Sequence, residues 1–389
     1  MSFKTSIQRD LDRFYKVLSD DSFNIREVTK GALTQARSKL NPWGFQRLNE
    51  IAVTTFYDRA EYYGWNGHRV LAIDGTRLIL PRHETTIEEF GEHGFGPKAD
   101  SKRCMAMGSM LYDVLNHLTI DAQIGPYSGC SEQDLLMKHL DKVVPGDLLL
   151  LDRGYAAFWL FFLLYAKGIH FCIRLPENWW LAAKDFIKSA DTDREVRFKL
   201  PIKDRDKLSD YAELWNEKLT FRLVKVVKED GTVEVLCTDL LDKDKYKKED
   251  FQELYHLRWN IEEAYKLLKS RVDLEDFSGK TARAVKQDFF AKIFMLTLCA
   301  AFAHPIEEKV RKEYAADQDR KHDQQINKTN AVATLCDILI PMFLKRRYKD
   351  ALHHFDKMVY STREIIRPNR TVKRNHRKKK FRDMNYKKL

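Results

Sequence analysis

The chain has 389 residues, of which 44% are hydrophobic and 32% are charged. This composition excludes a wholly disordered chain, and the length allows a sizeable core and more than one structural unit. Lysine and arginine number 68 against 57 acidic residues, which gives a net charge of +11. A polyanionic partner is therefore expected, with nucleic acid ahead of a membrane surface.

Cysteine usage and hydropathy indicate the compartment. The six cysteines are scattered and form no CxxC pair, so neither a zinc site nor a disulfide framework is predicted. The N-terminus lacks the apolar core of a signal peptide, and the apolar stretches look too short or too interrupted by polar residues to cross a bilayer. The sequence predicts a cytoplasmic protein with no membrane partner.

The first element in chain order is a helical N-terminal region, residues 1–66. Asp20-Asp21, Pro42 and Gly44 are predicted to interrupt it. Basic residues are spread among its apolar positions, but no sharp helix-turn-helix signature is present. Two interpretations therefore stay open, a unit that binds DNA ends and a helical cap on the next domain.

Short apolar strands begin after Arg69. Residues 70–74 are predicted to form a strand that ends in a Gly75-Thr76 turn, with residues 78–80 as a hairpin partner. The later elements are strands near residues 106–112 and 117–124, a helix from Ser131, a buried strand over 147–152, a helix over 156–167 and a strand over 169–174. Hairpins followed by alternating strands and helices predict an α/β fold, a mixed sheet flanked by helices.

The rest of the chain completes the predicted domain scheme. Residues 175–250 interrupt the α/β pattern with alternating segments at 195–200, 219–227 and 232–238, which favour a β-rich insertion. Buried helices are predicted over 284–302 and 327–346. The scheme has a catalytic domain over 67–174 and 251–305, the insertion over 175–250, a C-terminal helical region over 306–366 and a basic tail over 367–389.

The basic tail holds most of the excess charge. Eleven lysines and arginines and one acid lie between Arg367 and Leu389. Such a segment suits an arm along DNA phosphates, and Arg374, Lys378 and Lys379 are its candidate DNA-binding residues. A disordered solubilising tail is the alternative.

The segment from Tyr255 to Lys269 is predicted to be one amphipathic helix. At about 100° per residue, Tyr255, Arg258, Glu262 and Lys269 fall within an arc of about 60°, beside a separate apolar stripe. Glu263 lies off this arc, so Glu262 is preferred as the functional acid. Taken alone, the segment also suits a solvated helix surface.

Two aspartates are candidates to form one site together with Glu262. Asp74 and Asp152 each close an apolar strand, and the sites of such sheets gather at the carboxyl ends of strands, although either Asp alone also suits a turn cap. Three carboxylates suit Mg²⁺ or Mn²⁺ better than zinc. Two such ions serve phosphoryl transfer, with Arg258 and Lys269 placed to hold a DNA backbone.

These residues resemble a known family. Tyr255, Arg258, Glu262 and Lys269 match the Y-x2-R-x3-E-x6-K signature of bacterial insertion-sequence DDE transposases of insertion-sequence family four. Asp74, in Ile-Asp-Gly-Thr, and Asp152, in Leu-Asp-Arg-Gly-Tyr, are similar to the family's two aspartate segments. The resemblance covers residues 70 to 280, and the tail from Arg367 is also similar.

The resemblance implies a ribonuclease-H-like catalytic fold in which Asp74, Asp152 and Glu262 are catalytic and bind two Mg²⁺ ions, with Mn²⁺ as a substitute. It assigns DNA contacts to Tyr255, Arg258 and Lys269. The implied reaction is cut-and-paste transposition, in which hydrolysis frees a 3′-hydroxyl that joins target DNA. The implied partners are double-stranded DNA, at terminal inverted repeats and target, and a second copy in a synaptic homodimer.

Alternatives remain open at this point. A ribonuclease-H-like nuclease without strand transfer uses similar chemistry, and a catalytically silent transposase-derived DNA-binding protein would keep the charge. A haloacid-dehalogenase-like phosphatase is disfavoured because Ala72 stands where its nucleophilic aspartate would be. Some relatives use a DNA hairpin, for which Trp179, Trp180 and Trp215 are stacking candidates, although structural roles are favoured for all three.

Overall fold

The structure is a computed structural model and describes residues 6–19, 27–94, 102–177, 179–228, 231–316 and 322–366. Its α-helices are α1 Ile7–Leu18, α2 Lys30–Lys39, α3 Trp43–Arg59, α4 Glu84–Phe90, α5 Glu132–His139, α6 Phe158–Ala166, α7 Leu181–Lys188, α8 Asp250–His256, α9 Trp259–Ser270, α10 Ala282–Ala316, α11 Lys328–Leu339 and α12 Tyr348–Ser361. Its strands are β1 Val70–Ile79, β2 Glu92–Gly94, β3 Lys102–Asp113, β4 Leu118–Pro126, β5 Leu148–Leu151, β6 His170–Arg174, β7 Asp193–Lys199, β8 Lys218–Val227, β9 Val233–Thr238, β10 Gln324–Gln325 and β11 Glu364–Ile365.

The described strands β1 to β9 form one nine-stranded sheet in the order β2-β3-β1-β5-β6-β9-β8-β7, with β4 paired to β3. Strand β5 runs parallel to both β1 and β6, whereas β9, β8 and β7 follow in antiparallel pairs. The four residues of β5 are fully buried, as expected for a central parallel strand. The predicted α/β fold, a mixed sheet flanked by helices, is confirmed.

The chain divides into two compact units. The sheet unit comprises Arg59–Arg77 and Met107–Tyr265, and the helical unit comprises the described parts of Met1–Asp58, Leu78–Ala106 and Lys266–Leu389. Within the helical unit, Arg37 on α2 pairs with Asp288 on α10 at 3.0 Å. The domain boundaries drawn from the sequence stay predictions.

The predicted hairpin at Gly75-Thr76 is wrong, because β1 continues without a turn to Ile79. Gly75 serves close packing instead. A methyl group at this position would lie 2.8 Å from Oε1 of Glu132, so only a glycine admits that carboxylate. The helix break predicted at Pro42 is confirmed, because Pro42 lies between α2 and α3, whereas Gly44 lies within the first turn of α3. The break predicted at Asp20-Asp21 lies outside the described residues.

The segment predicted as a β-rich insertion extends the central sheet. Strands β7, β8 and β9 form antiparallel pairs, and β9 pairs with β6 through Ile173 and Cys237. The aromatic rings nearby pack on one another, with Trp179 stacked on Phe158 at 4.6 Å and Trp180 edge-on to Phe198 at 4.8 Å. These contacts suit the structural role favoured for both tryptophans.

Helix α10 corrects one expectation from hydropathy. By length and composition alone it is apolar enough to cross a membrane, although the sequence was expected to contain no such stretch. In the structure 56% of its most apolar window is buried within the protein. That burial is typical of the core helix of a folded unit.

Candidate functional site

Asp74 lies within β1, just past the part of that strand that pairs with β5, and Asp152 directly follows β5. The prediction that Asp74 closes its strand is wrong, because β1 continues to Ile79. Strands β1 and β5 pair with Ala72 opposite Leu150, two residues before each aspartate. Parallel pairing in this register carries both acids to the same edge of the sheet. The tertiary structure therefore brings together two acids that are separated by 77 intervening residues in the sequence.

Asp74 is held by its backbone and lies in an acidic environment. Its carbonyl oxygen accepts hydrogen bonds from the Tyr265 hydroxyl at 2.8 Å and from Ser109 Oγ at 3.3 Å, and the Gly75 N–H donates to its Oδ1 at 2.9 Å. Burial raises the pKa of Asp74 from 3.8 to about 6; Arg258 and the Gly75 N–H oppose this rise, while other carboxylates add to it. A cation at this position would relieve the cost of burying the charge.

A buried polar chain supports the strand that carries Asp74. His139 on α5 is fully buried and lies 2.7 Å from Asp121 through Nδ1 and 3.0 Å from Ser109 Oγ through Nε2. Ser109 in turn donates to the carbonyl of Asp74. Because this serine is itself fully buried, the chain fixes backbone position and offers no exposed nucleophile.

Asp152 caps the short 3₁₀ turn Arg153–Tyr155 that follows β5. Its Oδ1 accepts the Gly154 N–H at 2.5 Å, which is the turn-capping role that an isolated aspartate would also have. Arg174, at the end of the neighbouring strand β6, places Nη2 at 3.7 Å from Asp152 Oδ2 and Nη1 at 2.6 Å from Glu234. Arg174 was not singled out in the sequence. It could have been, because it stands at the end of an apolar strand, which is the same signal that made Asp152 a candidate.

The helix predicted from Tyr255 to Lys269 is broken in the structure. Helix α8 ends at His256 and α9 begins at Trp259, so Tyr255 lies on α8 and Arg258 lies in the connecting turn. The Arg258 N–H bonds to the carbonyl three residues earlier rather than four, as in a 3₁₀ turn. This tighter winding changes the rotation per residue, so the single 60° arc is wrong.

Arg258 and Glu262 nevertheless meet. Arg258 is almost fully buried, and its Nη2 donates to Glu262 Oε1 at 2.7 Å. Its guanidinium also lies 5.4 Å from the ring centre of Trp259. A carboxylate paired in this way is oriented before any ligand arrives.

Tyr255 faces inward. Its hydroxyl donates to the carbonyl of Leu151 at 3.3 Å, at the end of β5 just before Asp152. Burial raises the pKa of this hydroxyl, and the neighbouring Arg258 and Arg174 guanidinium groups oppose that rise. The tyrosine therefore links α8 to the strand that carries Asp152.

A fourth carboxylate, Glu132, was missed in the sequence. It occupies the first turn of α5, whose predicted start at Ser131 is confirmed by a capping box. Burial raises the pKa of Glu132, Asp152 raises it further, and Arg77 opposes the rise. Nothing in its local sequence separates it from an ordinary acid at a helix start.

The chemistry of the donor set fits a divalent cation. Asp74, Asp152 and Glu262 offer oxygen atoms, which Mg²⁺ and Mn²⁺ prefer. Within the described ranges, no three His, Cys, Asp or Glu side chains lie close enough to one another to hold a metal ion. Glu262 is instead paired with Arg258 through Oε1.

The remaining predicted residues lie elsewhere. Lys269 is in the last turn of α9, on the same helix as Glu262. Arg374, Lys378 and Lys379 of the basic tail lie outside the described residues. Trp215 donates from Nε1 to the carbonyl of Leu208 at 3.1 Å, which again suits a structural role.

Comparison with known families decides the assignment. The model of the family described as "Transposase DDE domain" matches residues 65–298, more than half of the chain. The chain belongs to this transposase family. The match includes Asp74, Asp152 and the Y-x2-R-x3-E-x6-K signature, so the family resemblance inferred from these motifs is confirmed.

Individual relatives of this transposase-family member are distant. It is 24% identical over 275 residues to "Transposase InsG for insertion sequence element IS4" from Escherichia coli, covering 70% of this chain and 60% of that protein. It therefore spans less than two thirds of the relative's length.

Two solved structures are also similar to this transposase-family member. The first, a cryo-EM structure of a piggyBac transposase synaptic complex with hairpin DNA, is 12% identical, with 75% of this chain and 57% of that chain covered and a TM-score of 0.43. The second, the NurA nuclease of Sulfolobus solfataricus, is 11% identical, with 59% and 93% covered and a TM-score of 0.24.

Proposed function

We propose that this protein catalyses cut-and-paste transposition of a bacterial insertion sequence. It cleaves a DNA strand at each element end and joins the freed 3′-hydroxyl to target DNA. The observation that carries the proposal is the register of β1 and β5, which places Asp74 and Asp152 at one sheet edge, within a chain of the transposase DDE family. The reaction takes place in the bacterial cytoplasm, where the element's DNA lies.

Asp74, Asp152 and Glu262 would hold two Mg²⁺ ions, with Mn²⁺ as a substitute. Such ions lower the pKa of an attacking water or hydroxyl and offset the charge that develops on the phosphate. The protein's own contribution is to hold the two aspartates on rigid backbone and to keep Glu262 oriented through Arg258. Orientation of this kind reduces the reorganisation that the reaction requires.

The DNA partners follow from charge. Arg258 and Lys269 would contact phosphates of the cleaved strand, with Tyr255 beside them if its hydroxyl leaves the Leu151 carbonyl. The tail residues Arg374, Lys378 and Lys379 would contact the duplex flanking the cleavage point. Double-stranded terminal inverted repeats and target DNA are the substrates, and two copies of the chain would pair two ends in one synaptic complex.

The test uses labelled duplexes that carry the inverted repeats flanking the coding region, incubated with purified protein and Mg²⁺. Cleavage is expected for the wild-type protein and is expected to disappear in Asp74→Asn, Asp152→Asn and Glu262→Gln. The matched control is Glu263→Gln, because Glu263 is the exposed neighbour of Glu262 and is expected to leave cleavage unchanged. Loss of cleavage in Glu263→Gln to the same extent as in Glu262→Gln would contradict the assignment.

A second arm separates the alternatives. Pre-cleaved ends with a 3′-hydroxyl are supplied together with a supercoiled target plasmid, and joined products are measured. Cleavage without joining would identify a nuclease that lacks strand transfer. Specific binding of the ends, without cleavage or joining by any of the proteins, would identify a silent DNA-binding protein.

A further inference from the structure

Glu132 lies against the two segments that carry the catalytic aspartates. Its Oε1 is 2.8 Å from the position that a Cβ atom would occupy at Gly75, the residue after Asp74. Its Oε2 is 3.7 Å from the corresponding position at Gly154, and Asp152 Oδ1 is 3.1 Å from that same position. One carboxylate therefore reaches both segments, and it does so where each of them has a glycine.

The Glu132 carboxylate has no protein partner that would explain this placement. It is half-buried, and it forms no hydrogen bond or ion pair with any residue in the part of the chain that the structure describes. Glu262, by contrast, is paired with Arg258. The charge of Arg77 offsets only part of the rise in the Glu132 pKa that burial and Asp152 cause. A half-buried carboxylate without a bonded donor is costly, so its placement suits a ligand for a cation.

Tyr155 provides an independent sign of a missing ligand. Its side chain is fully buried, and its hydroxyl has no hydrogen-bond partner among the described residues. The carboxylates that act most strongly on this hydroxyl are those of Glu132, Asp74 and Asp152. An unpaired buried donor facing acidic groups is typical of a site whose metal-bound carboxylate or water would accept the bond.

We infer that Glu132 is a fourth carboxylate of the catalytic centre and contributes an oxygen ligand to the divalent cation that Asp74 and Asp152 would bind. Because no three such side chains among the described residues lie close enough to hold an ion in its absence, the carboxylates would draw together when the ion binds. The inference rests on the proposed function. It offers one explanation for the glycines at positions 75 and 154, because the Glu132 carboxylate lies close to both. A side chain at position 75 would displace that carboxylate.

The test measures Mn²⁺ binding to the full chain by electron paramagnetic resonance, without DNA and without turnover. Glu132→Gln keeps the shape of the side chain and removes its charge, and it is expected to weaken Mn²⁺ binding about tenfold or more. The matched control is Glu84→Gln, because Glu84 is an exposed glutamate in the first turn of α4. Its binding is expected to equal that of the wild-type protein.

A second perturbation reaches Glu132 without changing it. Gly75→Ala introduces the methyl group that would collide with the Glu132 carboxylate, and it is expected to weaken Mn²⁺ binding as well. Its control is Gly44→Ala, where no atom lies within 4 Å of the added methyl group. Circular dichroism establishes that each variant is folded, and Gly75→Ala decides the question if Glu132→Gln does not fold.

The outcomes separate this inference from the proposed function. If Glu132→Gln and Gly75→Ala bind Mn²⁺ like their controls while Asp74→Asn does not bind, then Glu132 is no ligand and the proposed function stands. If Asp74→Asn and Asp152→Asn also bind like the wild-type protein, the metal site at the strand ends is wrong, and both proposals fall.

Discussion

Replacement of Asp74 by asparagine is expected to stabilise the metal-free protein while it abolishes cleavage. The pKa of Asp74 is raised from 3.8 to about 6, mainly by burial. Between pH 3.8 and about 6 the folded protein therefore binds more protons than the unfolded chain, so its stability falls as the pH rises through this window. Below pH 3.8 Asp74 is protonated in both the folded and the unfolded protein. Above about pH 6 the folded protein bears the full cost of the buried charge.

The size of the effect follows from the same rise in the pKa of Asp74. At about 1.4 kcal/mol for each pH unit, the ionised Asp74 costs the folded protein about 3 kcal/mol above pH 6. Asparagine carries no charge and keeps an oxygen that can accept the Gly75 N–H. The attraction to Arg258 that Asp74→Asn removes is already included in that pKa, so about 3 kcal/mol is the expected gain.

Urea unfolding in EDTA at pH 8 and at pH 4 measures this prediction. The free energy of unfolding of Asp74→Asn is expected to exceed that of the wild-type protein at pH 8, and the difference is expected to shrink at pH 4. The control Asp185→Asn removes an exposed carboxylate on α7 and is expected to change little at either pH. Destabilisation by Asp74→Asn at pH 8, or an equal difference at both pH values, would refute the reasoning.

Three further predictions concern the signature residues and the tail. Tyr255→Phe loses the hydrogen bond to Leu151 and is expected to lower the free energy of unfolding by about 1 kcal/mol in urea titrations; an unchanged value would contradict this bond. Arg258→Ala releases Glu262 from a charged hydrogen bond and is expected to slow end cleavage about 10- to 100-fold, whereas a wild-type rate would show that the pair is dispensable. Deletion of residues 367–389 is expected to weaken duplex binding and to reduce its salt dependence by about 0.9 in the log–log slope for each phosphate that the tail no longer neutralises; an identical slope in titrations at several salt concentrations would remove the tail from the DNA interface.

Part of the site could be predicted from the local sequence. Asp74 and Asp152 follow apolar runs whose strand character is a short-range property, and the spacing from Tyr255 to Lys269 is a property of the sequence itself. These features were enough to predict the sheet, its flanking helices and the transposase family. The roles of the individual residues stay predictions.

Two local features were predicted wrongly for a physical reason. Gly75-Thr76 has the composition of a turn, but β1 continues because it lies between β3 and β5 in the sheet, which satisfy its hydrogen bonds. The break between α8 and α9 depends on a 3₁₀ turn at Arg258. A regular helical period cannot anticipate that turn.

By itself the sequence determined that Asp152 follows a buried strand, which residues share the signature helix region, and where the basic charge is concentrated. Only the tertiary structure decided that β1 and β5 are neighbours in register, that Glu262 is paired with Arg258, and that Glu132 lies over Gly75 and Gly154. Periodicity and turn chemistry act over a few residues, whereas these contacts join segments that are distant in the chain. They form through the packing of the whole sheet, which no local pattern encodes.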